Sequence, residues 1–142
     1  MREPRYWEGM SENDVRILKD VFDAMARGEV TALVQRTDEE IRVYPRPEEP
    51  GVRDVYEGWE GLEEYMVNWF SGWDDYGVEA VRFIDTGDEV IAVARERGRI
   101  EGSGMELVED FTHSFRLRDG RIVEWRMYDS HAQALERFGL QE

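Results

Sequence analysis

Apolar residues recur every three or four positions in several stretches of the chain, which is the period of an α-helix. The first stretch begins after Ser11, a residue suited to cap a helix, and ends at Gly28. A short second helix is predicted over residues 30–35. The clearest stripe runs over residues 62–73 and is rich in aromatic side chains, and a last helix is predicted over residues 130–139. The pattern therefore places most of the helical structure in the first half of the chain.

Beyond Asp75 the period changes from 3.6 to 2, which is typical of β-strands. An earlier strand is predicted around Ile41 and Val43. Because helices and strands are segregated along the chain, the fold class is α+β, with a curved antiparallel sheet packed on the N-terminal helices and enclosing a pocket. The four later strands are predicted over residues 78–85, 90–98, 107–117 and 122–129.

Length and composition limit the classes of function. The 142 residues fit a single domain over residues 11–142, preceded by a loose polar arm over residues 1–10. Asp and Glu number 33 against 18 Lys and Arg, and the formal charge of −15 disfavours nucleic acid and anionic membranes as partners. The chain has no Cys, which excludes disulfides and thiolate catalysis. It also has neither a membrane-length apolar run nor a signal-peptide core, so we expect a cytoplasmic location.

Five segments, taken in their order and spacing, resemble the SnoaL-like branch of the nuclear-transport-factor-2-like superfamily, which includes ketosteroid isomerases and polyketide cyclases. They are VFDAMARGEV (21–30), YEGWEG (56–61), FIDTGD (83–88), GRIEGSG (98–104) and HSFRLRDGRI (113–122). The resemblance covers about residues 11–140. It implies a cone-shaped α+β barrel with an internal cavity, usually dimeric. It does not imply one reaction, since this fold hosts isomerases, cyclases, hydrolases, dehydratases and binding domains.

The sequence departs from the family pattern at three places. The resemblance places Tyr44, before Pro45, where ketosteroid isomerases have an aspartate base. Val21 stands where those enzymes have a tyrosine that helps to bind the oxyanion. The last strand ends in Tyr-Asp-Ser at residues 128–130, where many relatives have Tyr-x-Asp. These departures argue against steroid isomerisation.

Two residues are the candidate catalytic groups. His113 alternates with Phe111 and Phe115, so all three share one strand face, and the resemblance places it near a position that reaches the cavity. There it can act as a general acid or base, or it can be a hydrogen-bonded core histidine that only shapes the pocket. Asp129 has the parity of Trp125, so an inward carboxylate would orient His113 or act as a base. The alternative is that Asp129 favours the start of the last helix.

Aromatic and apolar side chains are expected to line a pocket for a flat organic ligand, although core packing is an equal alternative for the helix tryptophans. The predicted lining residues are Tyr44, Tyr56, Trp59, Trp69, Trp73, Phe111, Phe115, Trp125 and Met127. No metal and no organic cofactor are expected, because the chain has two His at no metal-site spacing and no dinucleotide fingerprint.

The leading hypothesis is an isomerase- or cyclase-type enzyme that performs cofactor-independent acid–base chemistry on a small hydrophobic carbonyl compound. The alternatives are a ligand-binding domain without turnover and a protein-interaction domain that uses the sheet face. A wide cavity with His113 close to Asp129 would favour the enzyme, and a pocket filled by tryptophans would favour the interaction domain. A homodimer is expected, because residues 90–94 are apolar on both faces of their strand.

Overall fold

Seven strands and four helices make up the part of the chain that the computed structural model describes, residues 5–6 and 12–142. The helices are α1 (Glu12–Arg27), α2 (Val30–Val34), α3 (Gly58–Ser71) and α4 (His131–Arg137). The strands are β1 (Arg5–Tyr6), β2 (Thr37–Tyr44), β3 (Tyr56–Glu57), β4 (Trp73–Asp85), β5 (Val90–Ile100), β6 (Glu106–Arg118) and β7 (Arg121–Tyr128).

All seven strands form one curved sheet in the order β1-β4-β5-β6-β7-β2-β3. The predicted α+β class is confirmed, and β4 to β7 form the predicted antiparallel run. The sheet is nevertheless mixed, since β2 pairs in parallel with β7. This pairing arises because the chain leaves β2, crosses through α3 to the far side of the sheet, and returns strand by strand until β7 lies beside β2. Two register shifts within β4 add local twist and bending.

The main core lies between the sheet and the first three helices. Leu18 and Phe22 of α1 and Leu62 of α3 are buried against Phe115 of β6 and Trp125 of β7. The helical spacing of these apolar residues gives α1 and α3 one buried face each, while their charged residues face solvent. Burial of such aliphatic and aromatic side chains is the dominant favourable contribution to folding.

The boundaries of α3 and β4 differ from the prediction. The apolar stripe was expected to continue as helix to Trp73, but α3 ends at Ser71 and Trp73 begins β4. The register shift between Asp74 and Gly77 interrupts the alternation that marks a strand, which hides the start of β4 from a reading of the pattern. Trp73 remains beside α3 because its ring packs on Trp69 at 5.6 Å between centroids.

The predictions for the two ends of the chain have different outcomes. Residues 5–6 of the expected arm pair with β4, whereas the rest of that arm and the Ser11 cap lie outside the described residues. Ser130, at which the last helix was predicted to begin, caps α4, because its Oγ accepts a hydrogen bond from the Gln133 backbone N–H at 3.2 Å. In the described part of the chain, no helix has both the length and the hydropathy to cross a membrane.

A second, smaller core lies on the opposite face of the sheet. Ile84 and Ile91 are paired across β4 and β5, and they are buried together with Ala134 and Leu140 from the C-terminal segment. Their sequence neighbours Phe83 and Ala92 point to the main core, as alternation in a strand requires. The apolar character of β5 on both faces, which suggested a partner subunit, is thus explained at Ile91 by α4 of the same chain.

A buried ion pair holds α4 on this face. The Glu89 side chain is buried, and its carboxylate accepts hydrogen bonds from the Arg137 guanidinium at 3.2 and 3.3 Å and from Arg116 at 3.1 Å. Arg137 also donates to the Tyr128 hydroxyl at 2.7 Å. Because a buried carboxylate that loses a partner remains desolvated, this contact is worth more than an exposed ion pair.

We expect Arg137→Met to lower the free energy of unfolding by about 2 kcal/mol, since Glu89 would lose a two-bond partner while the apolar stem is kept. The matched control is Arg95→Met, which removes an ion pair with Asp110 whose two side chains are both about half exposed. That change should cost less than about 0.5 kcal/mol. Urea unfolding of both variants measures the difference, and equal losses would contradict this account of how α4 is held.

Candidate functional site

A narrow cavity lies between the sheet, α1, α3 and the loop that follows β2. Its volume is only about 20 Å³. In this state it has room for one or two water molecules. It is lined by Met25, Arg46, Glu49, Tyr65, Met66, Trp69, Glu96, Phe111, Thr112, His113, Met127 and Tyr128.

The inner wall of the cavity contains a buried histidine whose tautomer is set by its neighbour. The indole N–H of Trp125 donates to His113 Nδ1 at 3.1 Å. An indole nitrogen can only donate, so Nδ1 is unprotonated and the neutral ring carries its proton on Nε2. His113 Nε2 lies 3.5 Å from Glu96 Oε2 and makes no hydrogen bond of ordinary geometry with the described residues. Its N–H is therefore available to a ligand.

Glu96 is the carboxylate of the inner wall. It lies on the same face of β5 as Ala92 and Ala94, which turn toward the main core, and its side chain is only 2% exposed. The Tyr76 hydroxyl donates a short hydrogen bond to Glu96 Oε1. The described partners of Glu96 are thus a phenol and an imidazole, an environment that suits an ionised carboxylate acting as acceptor only.

A second carboxylate lies at the mouth of the cavity. Glu49, from the loop after β2, accepts a hydrogen bond from the Tyr65 hydroxyl at 2.8 Å. Its Oε1 is also 3.7 Å from the Arg46 guanidinium, and that guanidinium stands 5.2 Å from the centroid of the Phe111 ring. The mouth therefore joins a carboxylate, a cation and an aromatic face.

The two tyrosines that bind the cavity carboxylates, Tyr65 and Tyr76, remain protonated phenols. Burial is the main cause that raises the pKa of Tyr65, and the adjacent Glu49 carboxylate raises it further. Burial likewise raises the pKa of Tyr76, with the Glu96 carboxylate as the next cause. Each phenol is consequently a hydrogen-bond donor to its own carboxylate at any ordinary pH.

The cavity wall has one more buried N–H donor, the indole of Trp69. Among the described residues, Trp69 Nε1 and His113 Nε2 are both shielded from solvent and make no hydrogen bond of ordinary geometry, the indole lying near the Tyr76 hydroxyl and the imidazole 3.5 Å from Glu96 Oε2. A buried polar group without a partner destabilises the fold by about 1–3 kcal/mol. Such groups in a cavity wall are therefore expected to bind an ordered water or a ligand oxygen.

Six of the predicted site residues come together at this cavity. His113, Trp69, Phe111 and Met127 line it. Phe115 and Trp125 stand behind His113, with ring centroids 6.1 and 6.0 Å from that of the imidazole. The face that was assigned to His113 from alternation with two phenylalanines is the face that turns inward.

The other predicted lining residues lie elsewhere. Tyr44 packs under the guanidinium of Arg126, 3.9 Å from the ring centroid, and Tyr56 belongs to the core beside Tyr65. Trp59 is 40% exposed, and its indole N–H donates to a backbone carbonyl of β2. Trp73 packs on the outer side of Trp69 and does not line the cavity.

Asp129 does not approach His113. Its Oδ1 accepts a hydrogen bond from the Glu48 backbone N–H at 3.3 Å, and its carboxylate does not line the cavity. The alternation argument failed here because β7 ends at Tyr128, one residue before Asp129. The carboxylate that lies beside His113 is Glu96, which sequence reasoning left unassigned.

No group of three or more His, Asp or Glu side chains within the described ranges is placed to hold a metal ion. The cavity has two carboxylates and one imidazole, but Glu49 and Glu96 are each bound to a tyrosine of their own. The arrangement is suited to hydrogen bonding and proton transfer with an organic ligand rather than to coordination.

The fold agrees with the comparisons with known proteins. The chain belongs to the family of SnoaL-like domains, whose model matches residues 18–125. No curated protein matches the sequence.

Solved structures give the same fold at low sequence identity. A candidate SnoaL-like polyketide cyclase from Jannaschia sp. CCS1 is 19% identical, with a TM-score of 0.73, covering 89% of this chain and 93% of that one. An NTF2-like protein of unknown function from Burkholderia pseudomallei is 16% identical, with a TM-score of 0.74 over 89% and 97%. A ketosteroid isomerase-like protein from Catenulispora acidiphila, in complex with trimethylamine, is 18% identical, with a TM-score of 0.69 over 88% and 93%.

We expect neutral His113 to carry its proton on Nε2, because the Trp125 indole N–H occupies Nδ1. The ¹⁵N shifts of the imidazole report the tautomer directly. In Trp125→Phe the donor is gone, and the Nδ1–H form should become populated. A wild-type ring found mainly as the Nδ1–H tautomer would contradict the assignment. Phe115→Leu, which alters packing on His113 without removing a donor, is the control.

Proposed function

We propose that this SnoaL-like domain is a small-molecule enzyme that performs cofactor-independent acid–base chemistry on a hydrophobic carbonyl compound. The observation that carries the proposal is the buried Glu96 carboxylate beside the free Nε2–H of His113 in the wall of a largely apolar cavity. Burying a carboxylate opposes folding, so a buried carboxylate in a cavity wall is a functional candidate.

In this proposal Glu96 is the base and His113 is a hydrogen-bond donor. Glu96 removes a proton from the carbon next to the substrate carbonyl. The electron pair of that C–H bond forms a carbon–carbon double bond, and the π pair of the carbonyl moves to its oxygen. The His113 Nε2–H or the Trp69 indole N–H stabilises the resulting enolate oxygen. The proton then returns from Glu96 to a carbon of the product in an isomerisation. In a cyclisation, the enolate carbon attacks a second carbonyl and the proton passes to the new alkoxide.

The apolar wall contributes by excluding water. Met25, Met66 and Met127 offer flexible, polarizable contacts to a substrate body. Exclusion of water strengthens each polar contact around the reacting atoms. Sequence reasoning paired His113 with Asp129 as proton carrier and partner, and the proposal replaces that pair with Glu96 and His113.

The narrowness of the cavity favours a second candidate, a domain without turnover. A space for one or two waters is smaller than a hydrophobic substrate, so catalysis requires the mouth to open. The mouth is formed by the loop after β2 and by Arg46, whose side chain is partly exposed, and loops are the parts of a fold that move most readily. If the cavity stays closed, the sheet face would be the functional surface.

The comparisons support the use of this fold for small ligands. The Jannaschia neighbour is described as a polyketide cyclase candidate, and the Catenulispora neighbour holds a small organic molecule. These are properties of those proteins, and they make the cavity of this chain the first place to look for a ligand.

We expect the protein to exchange α protons of hydrophobic ketones for deuterium, a reaction that NMR follows without knowledge of the natural substrate. Glu96→Gln should lower the rate by about 10²–10⁴-fold, since general-base catalysis is lost while size is kept. Glu79→Gln, an exposed carboxylate paired with Arg97, is the control and should leave the rate unchanged.

A second variant tests His113 as the hydrogen-bond donor. His113→Gln keeps size and hydrogen bonding and removes the imidazole, so the rate should fall less than in Glu96→Gln. Full activity in both variants would overturn the assignment of this site. No exchange by the wild-type protein on any ketone of the panel would favour the domain without turnover.

We retain two further expectations as proposals, a homodimer and a cytoplasmic location. Support for the homodimer comes from Val108 of β6, which is exposed on the outer sheet face beside the Arg95–Asp110 ion pair. Light scattering should give twice the chain mass, and Val108→Asp should give the mass of one chain. A single-chain mass for the wild-type protein at micromolar concentration would contradict the homodimer.

A further inference from the structure

We propose that the ligand of this cavity carries a positive charge, a protonated or quaternary amine that binds at the mouth between Glu49 and the Phe111 ring. The inference rests on the proposed function only in using the same cavity as the ligand site. It adds a charge requirement that the acid–base chemistry does not contain.

The wall of the cavity has more negative than positive side chains. Glu49 and Glu96 give it two carboxylates, whose side chains are 8% and 2% exposed, against the single guanidinium of Arg46. The neutral His113 ring adds no positive charge, because its Nδ1 accepts from Trp125. An anionic ligand would be desolvated next to Glu96, whose described partners carry no positive charge, whereas a cation would be stabilised there.

The Arg46 guanidinium lies beside both an aromatic ring and a carboxylate. It lies 5.2 Å from the centroid of Phe111 and 3.7 Å from Glu49 Oε1. An aromatic face combined with a carboxylate is the arrangement that recognises organic ammonium groups. Arg46 therefore occupies, from within the chain, the place that a ligand cation would take.

The Arg46 side chain can move away from Glu49 and Phe111. Arg46 lies in the loop between β2 and β3, directly after Pro45, and its side chain is 28% exposed. Its ion pair with Glu49 spans three residues of the same loop, and its guanidinium lies over the Phe111 ring of β6. Withdrawal of this side chain also enlarges the narrow cavity.

The aromatic side chains at this end complete the site. The rings of Trp69 and Phe111 meet edge to face at 6.2 Å between centroids, and the Tyr65 phenol binds Glu49 from the opposite side. An alkylammonium group at the mouth would thus contact the Phe111 ring and one carboxylate, with Trp69 beside them. The free N–H of His113 lies deeper and is left for an oxygen atom of the same ligand.

The test compares two probes of equal shape, choline and its neutral isostere 3,3-dimethylbutan-1-ol, by calorimetry and by NMR shifts of residues 46, 49, 69 and 111. We expect choline to bind at least about fivefold more tightly, in the range that cation–π contacts give. The anion 3,3-dimethylbutanoate should bind more weakly than either. Equal affinity for choline and the alcohol, or tighter binding of the anion, would overturn the proposal.

Two variants and one control variant localise the effect. Arg46→Ala should tighten choline binding several-fold, because it vacates the place between Glu49 and Phe111. Arg97→Ala changes the net charge equally but lies on the outer face, paired with Glu79, and should leave choline affinity unchanged. Glu49→Gln should weaken choline binding at least about fivefold without changing affinity for the alcohol. An equal gain in Arg46→Ala and Arg97→Ala would assign the effect to net charge and contradict the site.

The two proposals fail separately. If choline shows no preference while deuterium exchange into neutral ketones still depends on Glu96, the charge requirement is wrong and the enzyme assignment stands. If choline binds as expected and no ketone exchanges, the charge requirement stands and the domain is a binding protein.

Discussion

The buried Glu96 carboxylate is the constraint around which the rest of the site is arranged. An ionised carboxylate in an apolar interior is tolerated only when its oxygens are bound or faced by donors. Tyr76 supplies one such donor and His113 stands beside the other oxygen. Trp125 in turn fixes which nitrogen of His113 carries the proton. Side chains of β4 and β6 therefore face a single residue of β5, and a donor of β7 acts on it only through His113.

This arrangement explains why the core is aromatic where it borders the cavity. Phe22 and Phe115 hold the imidazole by edge-to-face and stacked contacts, at 5.6 and 6.1 Å between centroids. Rigid rings restrict the rotation of His113, so its Nε2–H stays aligned with the cavity even though it lacks a hydrogen bond. Aliphatic side chains of equal volume would fill the space but would not orient the ring as well.

Local patterns predicted the elements and the inward face of His113, because alternation along β6 is determined within a few residues. The same alternation places Glu96 on the face of Ala92 and Ala94, but it does not tell whether Glu96 or the neighbouring Arg95 and Arg97 face the interior, because all three are charged and the strand is apolar on both faces before them. It failed for Asp129, where the strand ends.

The positions of Glu49 and Arg46 at the cavity could not be predicted from a local sequence pattern. They come from a loop rich in proline whose path over the cavity depends on contacts with residues far along the chain. The parallel pairing of β2 with β7 is unpredictable for the same reason, since it depends on the route of the whole chain around the sheet.

The tryptophans described here occupy three different environments, which gives the chain its own optical probes. Trp59 is accessible to a dissolved quencher, Trp125 is fully buried against an imidazole, and Trp69 forms part of the cavity wall. We expect a quencher to reach Trp59 and not Trp125, and we expect the emission of Trp69 to change with what enters the cavity. Occupancy of the site is thus readable from intrinsic fluorescence, without a label.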